Sequence, residues 1–240
     1  MIWVYAIGER PDLAPPASAL GLDGAPLEGV REGGLLAVVS RHAAAPGMPA
    51  IDALWAHEHV VESLMTDRAV LPMRFGSQLP DEAALRRALA SRHDDLLSVL
   101  DGVRGRVELA VRALSADGAA GADVPVPAAT GAVNGHDSGR EYVRTKLELR
   151  NRAEAAGAAL HAPLAALAAA ESRRPGRGPA ELLRASYLVE RPLVATFRSL
   201  VQRLQREHRE AAMLCTGPWP PYSFVEVAVR DWMTGVGGDA

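Results

Sequence analysis

The chain has 240 residues and a formal net charge of −3, and its residues are 48% hydrophobic but only 5% aromatic. This length is typical of two modest domains, each with enough apolar residues to bury a core. The charge balance indicates no basic face, which disfavours a nucleic-acid-binding protein. Because Cys215 is the only cysteine, an internal disulfide is excluded, as are zinc sites built on two or four cysteines.

No segment predicts export or membrane insertion. The apolar start over 2–7 is followed at once by Gly8-Glu9-Arg10-Pro11, and it is too short and lacks the basic leader of a signal peptide. No stretch approaches the roughly 20 apolar residues of a transmembrane helix. We therefore expect a cytoplasmic protein that has neither a nucleic acid nor a membrane as its partner.

The first 115 residues predict a small sheet with two helical regions. We predict a Gly- and Pro-rich loop over 8–33 with a short extended piece near 27–30, helices over 52–67 and 81–100, and strands over 2–7, 34–40, 70–76 and 106–114. Asp52 is expected to cap the first helix, and a break near Ser91 divides the second helical region. The internal Pro72 indicates that its strand lies at an edge or contains a bulge. This order resembles a ferredoxin-like sandwich with an extra leading strand.

The strand over 106–114 has an alternating pattern. Val107, Leu109 and Val111 alternate with Glu108 and Arg112. Since successive side chains of a strand point to opposite faces, this pattern predicts one buried face and one solvated face that carries the charged residues.

Residues 116–138 separate the two halves of the chain. They are dominated by Ala, Gly, Asp, Pro and Val and show no periodicity, which is typical of a flexible linker. We therefore predict an N-terminal ferredoxin-like domain over 1–115 and a C-terminal α+β domain over 139–240.

The C-terminal domain is predicted to be a coiled-coil-like helical hairpin backed by a small sheet. Its first helix begins near Gly139 and carries a heptad seam of residues spaced by alternating steps of four and three: Tyr142, Lys146, Leu149, Ala153, Ala156, Leu160, Pro163 and Leu167. Pro163 is expected to kink or end this helix, and Pro192 opens the second one. Strands are predicted over 185–189 and 211–216. Residues 217–222 are too rich in proline for a regular element.

The chain carries none of the common catalytic motifs, such as a Walker A loop, a nucleophile elbow or a dinucleotide-binding glycine pattern. The two histidines of His57-Glu58-His59 are two residues apart and lie on different faces of a helix, whereas a zincin motif needs them four apart. His57 shares its face with apolar residues, which favours a hydrogen-bonded core histidine over a metal ligand. Cys215 is predicted to be a small buried hydrophobic residue. We therefore expect no catalytic residues, no metal and no cofactor.

Two features in the middle of the sequence are candidate partner-binding surfaces, and each can instead have a purely structural role. Arg74 lies in an apolar strand, so it either forms an ion pair within the fold or emerges at the surface to contact a partner. The stretch that contains Ala153, Ala156 and Leu160 either packs against the helix that Pro192 opens or leaves a shallow groove for an amphipathic partner helix.

The proline-rich segment near the C-terminus is a third candidate. Trp219 and Tyr222 stand on a stiff frame that Pro218, Pro220 and Pro221 provide. They either cover the core as a rigid lid or serve as anchors of an interface, since exposed tryptophan and tyrosine are frequent hot spots.

Several motifs occur in the same order over nearly the whole chain and resemble the gas vesicle protein F/L family. They are the opening Trp3-Val4-Tyr5-Ala6-Ile7, the strand Leu36-Ala37-Val38-Val39-Ser40, His57-Glu58-x-Val60-Val61 followed by Val70-Leu71-Pro72-Met73-Arg74-Phe75-Gly76, Gly139-Arg140-Glu141-Tyr142, and Thr216-Gly217-Pro218-Trp219-Pro220-Pro221-Tyr222-Ser223-Phe224. The last motif is the most specific, because so proline-rich a string with Trp and Tyr rarely arises from composition alone.

The resemblance implies a non-enzymatic accessory protein of gas vesicle assembly, located at the gas vesicle or in the cytoplasm. The expected partners are the small hydrophobic shell protein and other gas vesicle accessory proteins, and the expected role is nucleation or incorporation of the shell protein. A purely structural vesicle component is a second option. The alternative from another class is a small-molecule-binding regulator or minor enzyme on a ferredoxin-like fold, which a tight pocket with a perturbed His57 would favour.

Overall fold

The computed structural model describes residues 1–9, 19–43, 51–65, 68–116, 135–178 and 180–229, with the backbone alone for 135–139 and 226–229. Most of the predicted linker over 116–138 lies outside the described residues, so its flexibility stays a prediction. The chain divides into two compact units, Met1–Glu108 with Pro218–Ala240 and Leu109–Gly217.

The first unit contains one antiparallel sheet. Its elements in the N-terminal half are β1 (Ile2–Glu9), β2 (Glu28–Glu32), β3 (Leu35–Arg41), α1 (Ile51–Leu64), β4 (Val70–Pro72), β5 (Gln78–Leu79), α2 (Glu82–Ser91) and α3 (His93–Val103). The strand order is β2-β3-β1-β4, and β5 pairs with the start of β1. Pro72 pairs with Ala6 on the edge strand β4, which confirms the predicted edge position.

The helices of this unit follow the predicted pattern closely. The Asp81 carboxylate caps α2 by accepting a hydrogen bond from the backbone N–H of Ala84 at 2.7 Å. The chain breaks at Arg92 before α3, as predicted near Ser91. α1 begins at Ile51, so Asp52 lies in its first turn instead of capping it.

Both faces of the first sheet are buried. On one face, Leu36 and Val38 of β3 pack in an apolar cluster with α1. Leu35 and Val39 point to the opposite face by the alternation of the strand and are also fully buried. α3 packs on β1 and β4, and the helices α2 and α3 bury a row of leucines: Leu85, Leu89, Leu96 and Leu100.

The second unit combines a four-stranded sheet with two helices. Its elements are β6 (Arg106–Ser115), α4 (Gly135–Ala165), β7 (Ala170–Arg173), β8 (Glu181–Glu190), α5 (Val194–Glu207) and β9 (Ala211–Trp219), and the strand order is β7-β8-β6-β9. α4 packs on β8 and α5 around a core that includes Tyr187 and Phe197. The mixture of helices and sheets confirms the predicted α+β class. The ferredoxin-like and coiled-coil descriptions stay predictions.

The predicted domain boundaries are wrong at two places. The strand over 106–114 was expected to complete the N-terminal domain, but β6 joins the second sheet, and the division between the units falls after Glu108. Residues beyond Gly217 were expected in the C-terminal domain, but they belong to the first unit. Alternation along a strand shows that it has two faces, but it does not show which sheet the strand joins.

The proline-rich segment is more regular than predicted. β9 extends through Pro218 to Trp219, and the helix α6 (Tyr222–Val229) begins directly after Pro221. β9 is an edge strand, and an edge strand tolerates a residue without an N–H. The N–H groups in the first turn of a helix have no intrahelical acceptors. The prolines directly before α6 therefore remove no hydrogen bond from it.

Candidate partner-binding surface

The end of the chain is held on the first unit by buried prolines and by a carboxylate. Pro220 and Pro221 are buried, and Tyr222 opens α6, which packs on α3 and β4. The Glu108 side chain is only 6% exposed, and it accepts hydrogen bonds from the backbone N–H of Ser223 at 2.9 Å and from its hydroxyl at 2.7 Å. A buried carboxylate thus satisfies an orphan donor in the first turn of α6, where a negative charge also complements the helix dipole.

This position of Glu108 contradicts the expectation of a solvated face along β6. Arg112 is exposed as predicted, but Glu108 is buried with its hydrogen bonds satisfied within the described residues. The partner is 115 residues further along the chain, so the strand pattern alone contained no signal for it.

A second carboxylate, on α1, also binds this segment. The Tyr222 hydroxyl donates to the Glu58 carboxylate, at 3.0 Å from Oε1 and 3.1 Å from Oε2. Burial raises the pKa of Glu58 above its ordinary value, while the hydrogen bond from Tyr222 opposes this rise. Burial and the neighbouring Glu58 charge both raise the pKa of Tyr222, so its hydroxyl stays a hydrogen-bond donor at neutral pH.

Around these contacts lies an open depression with a volume of about 390 Å³. We call it the tryptophan depression, and its lining residues are Leu54, Trp55, Glu58, Glu108, Trp219, Pro220 and Tyr222. Trp55 is 65% exposed and Trp219 is 45% exposed. Large aromatic side chains left open beside a concave surface are typical of the anchors of a protein interface.

His57, which directly precedes Glu58 on α1, is part of the core. The Trp3 indole N–H donates to His57 Nδ1 at 3.0 Å, and His57 Nε2 donates to the backbone carbonyl of Met73 at 2.8 Å. The ring also stacks on Tyr5, with centroids 5.1 Å apart. Burial lowers the pKa of His57 to about 4, so it is neutral at pH 7. The predicted hydrogen-bonded core histidine is confirmed, and its pKa shift arises from burial in the core.

The described side chains include no group of three or more His, Cys, Asp or Glu that could hold a metal ion. Across the described ranges, every helix is also too short or too polar to span a lipid bilayer. Cys215 is half-buried, and burial raises the pKa of its thiol, which disfavours the thiolate needed for nucleophilic chemistry.

The chain matches a known protein family over most of its length. The model of the family described as gas vesicle synthesis protein GvpL/GvpF matches residues 1–226. The chain belongs to the GvpL/GvpF family. The resemblance read from the motifs of the sequence is thereby confirmed.

Individual members of the GvpL/GvpF family agree with this assignment over the whole chain. Gas vesicle protein L of Streptomyces sp. (strain CB03234) is 32% identical, and the match covers 95% of this chain and 94% of the relative. Gas vesicle protein F of the same strain is also 32% identical, with 93% and 99% covered. The crystal structure of the gas vesicle protein GvpF from Anabaena sp. PCC7120 shares the fold, with a TM-score of 0.79 at 18% identity over 93% of this chain and 97% of that chain.

Membership of the GvpL/GvpF family gives the protein a role in gas vesicle formation. It also implies association with other gas vesicle proteins. The matches to an L and an F protein have the same identity, so identity by itself assigns the chain to neither type.

Of the six residues predicted as candidates, the structure brings two together. Trp219 and Tyr222 both line the tryptophan depression. Arg74 is exposed directly after β4 and is not among the lining residues.

The other three candidates, all on α4, belong to the second unit. Ala153 and Ala156 are half-buried, and Leu160 is 1% exposed in the core of that unit. Leu160 therefore packs inside the fold, with residues of α5, instead of lining a groove for a partner helix. The predicted seam is exposed at its start, where Tyr142 and Leu149 are 48% and 51% exposed.

Sequence reasoning missed Leu54, Trp55, Glu58 and Glu108 as lining residues of the tryptophan depression. One signal for Trp55 was available. In the predicted helix it falls outside the apolar stripe that carries His57, Val61 and Leu64, and a tryptophan on the polar face of a helix is unusual.

Proposed function

We propose that the protein binds the hydrophobic gas vesicle shell protein through the tryptophan depression and assists its nucleation or incorporation without catalysing a reaction. In this proposal it acts in the cytoplasm and at the gas vesicle, where it can remain as a minor component. The observation that carries the proposal is the pair of exposed rings, Trp55 and Trp219, beside one depression of a GvpL/GvpF family chain.

The physical reason is the protection of apolar surface. A shell protein that exposes apolar helices tends to aggregate, and a partner that covers those helices until incorporation prevents this. Each tryptophan can bury roughly 150–250 Å² of surface in a contact. Two such rings, together with the half-buried Leu54 of the same lining, provide the apolar centre that protein interfaces share.

The regulator or minor-enzyme alternative gains no support from His57. Its pKa is perturbed, as that alternative requires, but the ring is fully buried and both ring nitrogens are hydrogen-bonded inside the core. A substrate would have to displace the contact with Trp3 to reach it.

Co-expression with the cognate shell protein tests the proposal. We expect the shell protein to stay soluble and to co-purify with the wild-type chain. The substitutions Trp55→Ala and Trp219→Ala should each weaken co-purification by about tenfold or more, because truncating a central aromatic anchor typically costs about 2 kcal/mol or more.

Leu214→Ala is the matched control, since Leu214 is 57% exposed but does not line the tryptophan depression. Co-purification should be unchanged in this variant. If the shell protein aggregates beside the wild-type chain as it does alone, shell-protein binding is the wrong function. If the wild-type chain and both tryptophan variants co-purify with the shell protein equally well, the tryptophan depression is not the binding surface.

A further inference from the structure

We propose that the tryptophan depression receives a basic side chain, an arginine or lysine that the partner's docking segment carries between apolar residues. The proposal rests on the proposed function for the identity of the partner, but the chemistry of the depression supports it independently. Three properties of the lining residues carry it: their charge, their remaining hydrogen-bond acceptors and their aromatic rings.

The lining residues carry negative charge alone. Glu58 and Glu108 contribute two carboxylates, and the five other lining residues are neutral: Leu54, Trp55, Trp219, Pro220 and Tyr222. A purely apolar partner would cover the half-buried Glu58 carboxylate without compensating its charge, which costs free energy. A cation in the depression removes that cost, so charge complementarity favours a basic group over a neutral one.

The half-buried Glu58 keeps acceptors for such a group, whereas Glu108 is buried and its carboxylate is bound by Ser223. A carboxylate offers about four lone-pair positions. Glu58 accepts from one hydroxyl, that of Tyr222, and Glu108 accepts two hydrogen bonds from Ser223. The raised pKa of Glu58 shows that its charged form is under-stabilised at this half-buried position. A guanidinium or ammonium group would stabilise that form through charge-assisted hydrogen bonds.

The aromatic rings suit a cation as well. Tryptophan has the strongest cation–π attraction of the aromatic side chains, and arginine is its most frequent partner. The Trp55 and Trp219 rings are both exposed at the depression, so an arginine stem can pack on them while its head reaches Glu58. The flanking apolar residues of the docking segment would then contact the half-buried Leu54.

Titration of the full chain with two short peptides tests this chemistry without the shell protein. The probes are acetyl-Ala-Leu-Arg-Leu-Ala-amide and its citrulline analogue, which has the same shape but no charge. Binding is followed by the indole N–H signals in nuclear magnetic resonance spectra, assigned with Trp55→Phe and Trp219→Phe. We expect saturable shifts of both signals with the arginine peptide and about tenfold weaker binding of the citrulline peptide.

Variants of neighbouring carboxylates identify the group responsible. Glu58→Gln should weaken the arginine peptide about tenfold, since glutamine keeps an acceptor for Tyr222 but loses the charge. Asp52→Asn is the matched control, because Asp52 is an exposed carboxylate of the same helix that neither lines the depression nor is among the charges that raise the pKa of Glu58. Tyr222→Phe should retain binding, because it leaves the Glu58 charge in place.

Several results would overturn the proposal. Equal affinity for the two peptides would overturn it, as would the absence of indole shifts with either peptide at millimolar concentration. Unchanged affinity of Glu58→Gln for the arginine peptide would do the same. Self-association of the chain that Trp55→Ala abolishes would make a second copy the occupant. Shell-protein co-purification separates this proposal from the proposed function. If Glu58→Gln retains the shell protein as well as the wild-type chain does, the basic group is wrong and the function stands. If the arginine peptide binds but the shell protein does not, the function is wrong and the site stands.

Discussion

At the scale of single residues, the first unit depends on polar groups that are buried and satisfied. His57 joins β1 to the segment after β4, because it accepts from Trp3 and donates to the carbonyl of Met73. Tyr5 has a similar role, since its hydroxyl accepts from the backbone N–H of Leu22 at 2.8 Å and hydrogen-bonds the Ser40 hydroxyl at 2.8 Å. Such side chains specify the packing of the core, because an unpaired polar group in the same place would cost about 1–3 kcal/mol.

His57 should make the stability of the first unit depend on pH. Its pKa falls from 6.5 when unfolded to about 4 in the fold, so below pH 6.5 the unfolded chain binds a proton that the folded chain does not. The contribution of His57 to the free energy of unfolding is therefore complete above about pH 6.5. It decreases by about 3 kcal/mol as the pH falls towards 4.

Urea unfolding of the full chain at pH 7.5 and pH 4.5, in wild type and His57→Gln, measures this contribution. His57→Gln should lower stability at pH 7.5, and the difference between the two proteins should shrink at pH 4.5. The pKa of Glu58 is raised in the fold, so protonation of Glu58 at low pH increases stability, whereas protonation of His57 decreases it. Both proteins are therefore best compared in a Glu58→Gln background. A constant difference at both pH values would show that His57 has the same pKa in the folded and the unfolded chain, which would contradict the burial effect.

At the scale of elements, α4 shows how one small residue sets the distance between a helix and a strand. A Cβ atom built on Gly157 would lie 2.1 Å from the backbone carbonyl oxygen of Leu182 on β8. Real Cβ atoms do not approach so closely, so the glycine allows α4 to pack directly on the strand. Leu160 and Leu164 on the same side of α4 are then buried in the core of the second unit.

Gly157→Ala should therefore destabilise the second unit by about 1–3 kcal/mol, because α4 or β8 must move to make room. The control is Gly102→Ala in α3, where the new Cβ would meet nothing within 4 Å. That substitution should leave stability unchanged or raise it by up to about 1 kcal/mol, since alanine favours the helix. Thermal and urea unfolding of the two variants compare them directly. Equal effects of both substitutions would mean that the close approach of α4 to β8 is not a constraint.

At the scale of the whole molecule, the last described helix belongs to the unit that contains the first strand. The divisions between the units fall after Glu108 in β6 and after Gly217 in β9. The C-terminal segment is thus part of the first unit's fold, with Val225 and two prolines buried and Ser223 bound to Glu108. A deletion there removes core as well as surface.

Ending the chain at Gly217 should for this reason destabilise the first unit by about 2 kcal/mol or more, since it exposes apolar surface and leaves Glu108 buried without a donor. Hydrogen exchange of the β1 amides measures the effect, and their protection should fall relative to the full chain. Trp219→Ala alone should lower this protection much less, because it leaves the two buried prolines and Val225 in place. Unchanged protection in the truncated chain would show that the C-terminal segment is only a cover.

The amino-acid sequence by itself determined several of the elements and the family. Hydrophobic periodicity and prolines act over a few residues, and they predicted β1, β3, the break between α2 and α3, the edge position of β4 and the core histidine. The Thr216 to Phe224 string and the motifs before it indicated the GvpL/GvpF family, which the family comparison confirmed.

Only the tertiary structure decided which sheet β6 joins, where the C-terminal segment lies and which residues form the tryptophan depression. Each of these depends on contacts between residues far apart in the chain, as in the pairs of Glu58 with Tyr222 and Glu108 with Ser223. Local patterns show which face of an element is apolar, but they do not show which distant element covers it. A charged residue such as Glu108 therefore reads as solvated in the sequence, although a donor from the far end of the chain allows its burial.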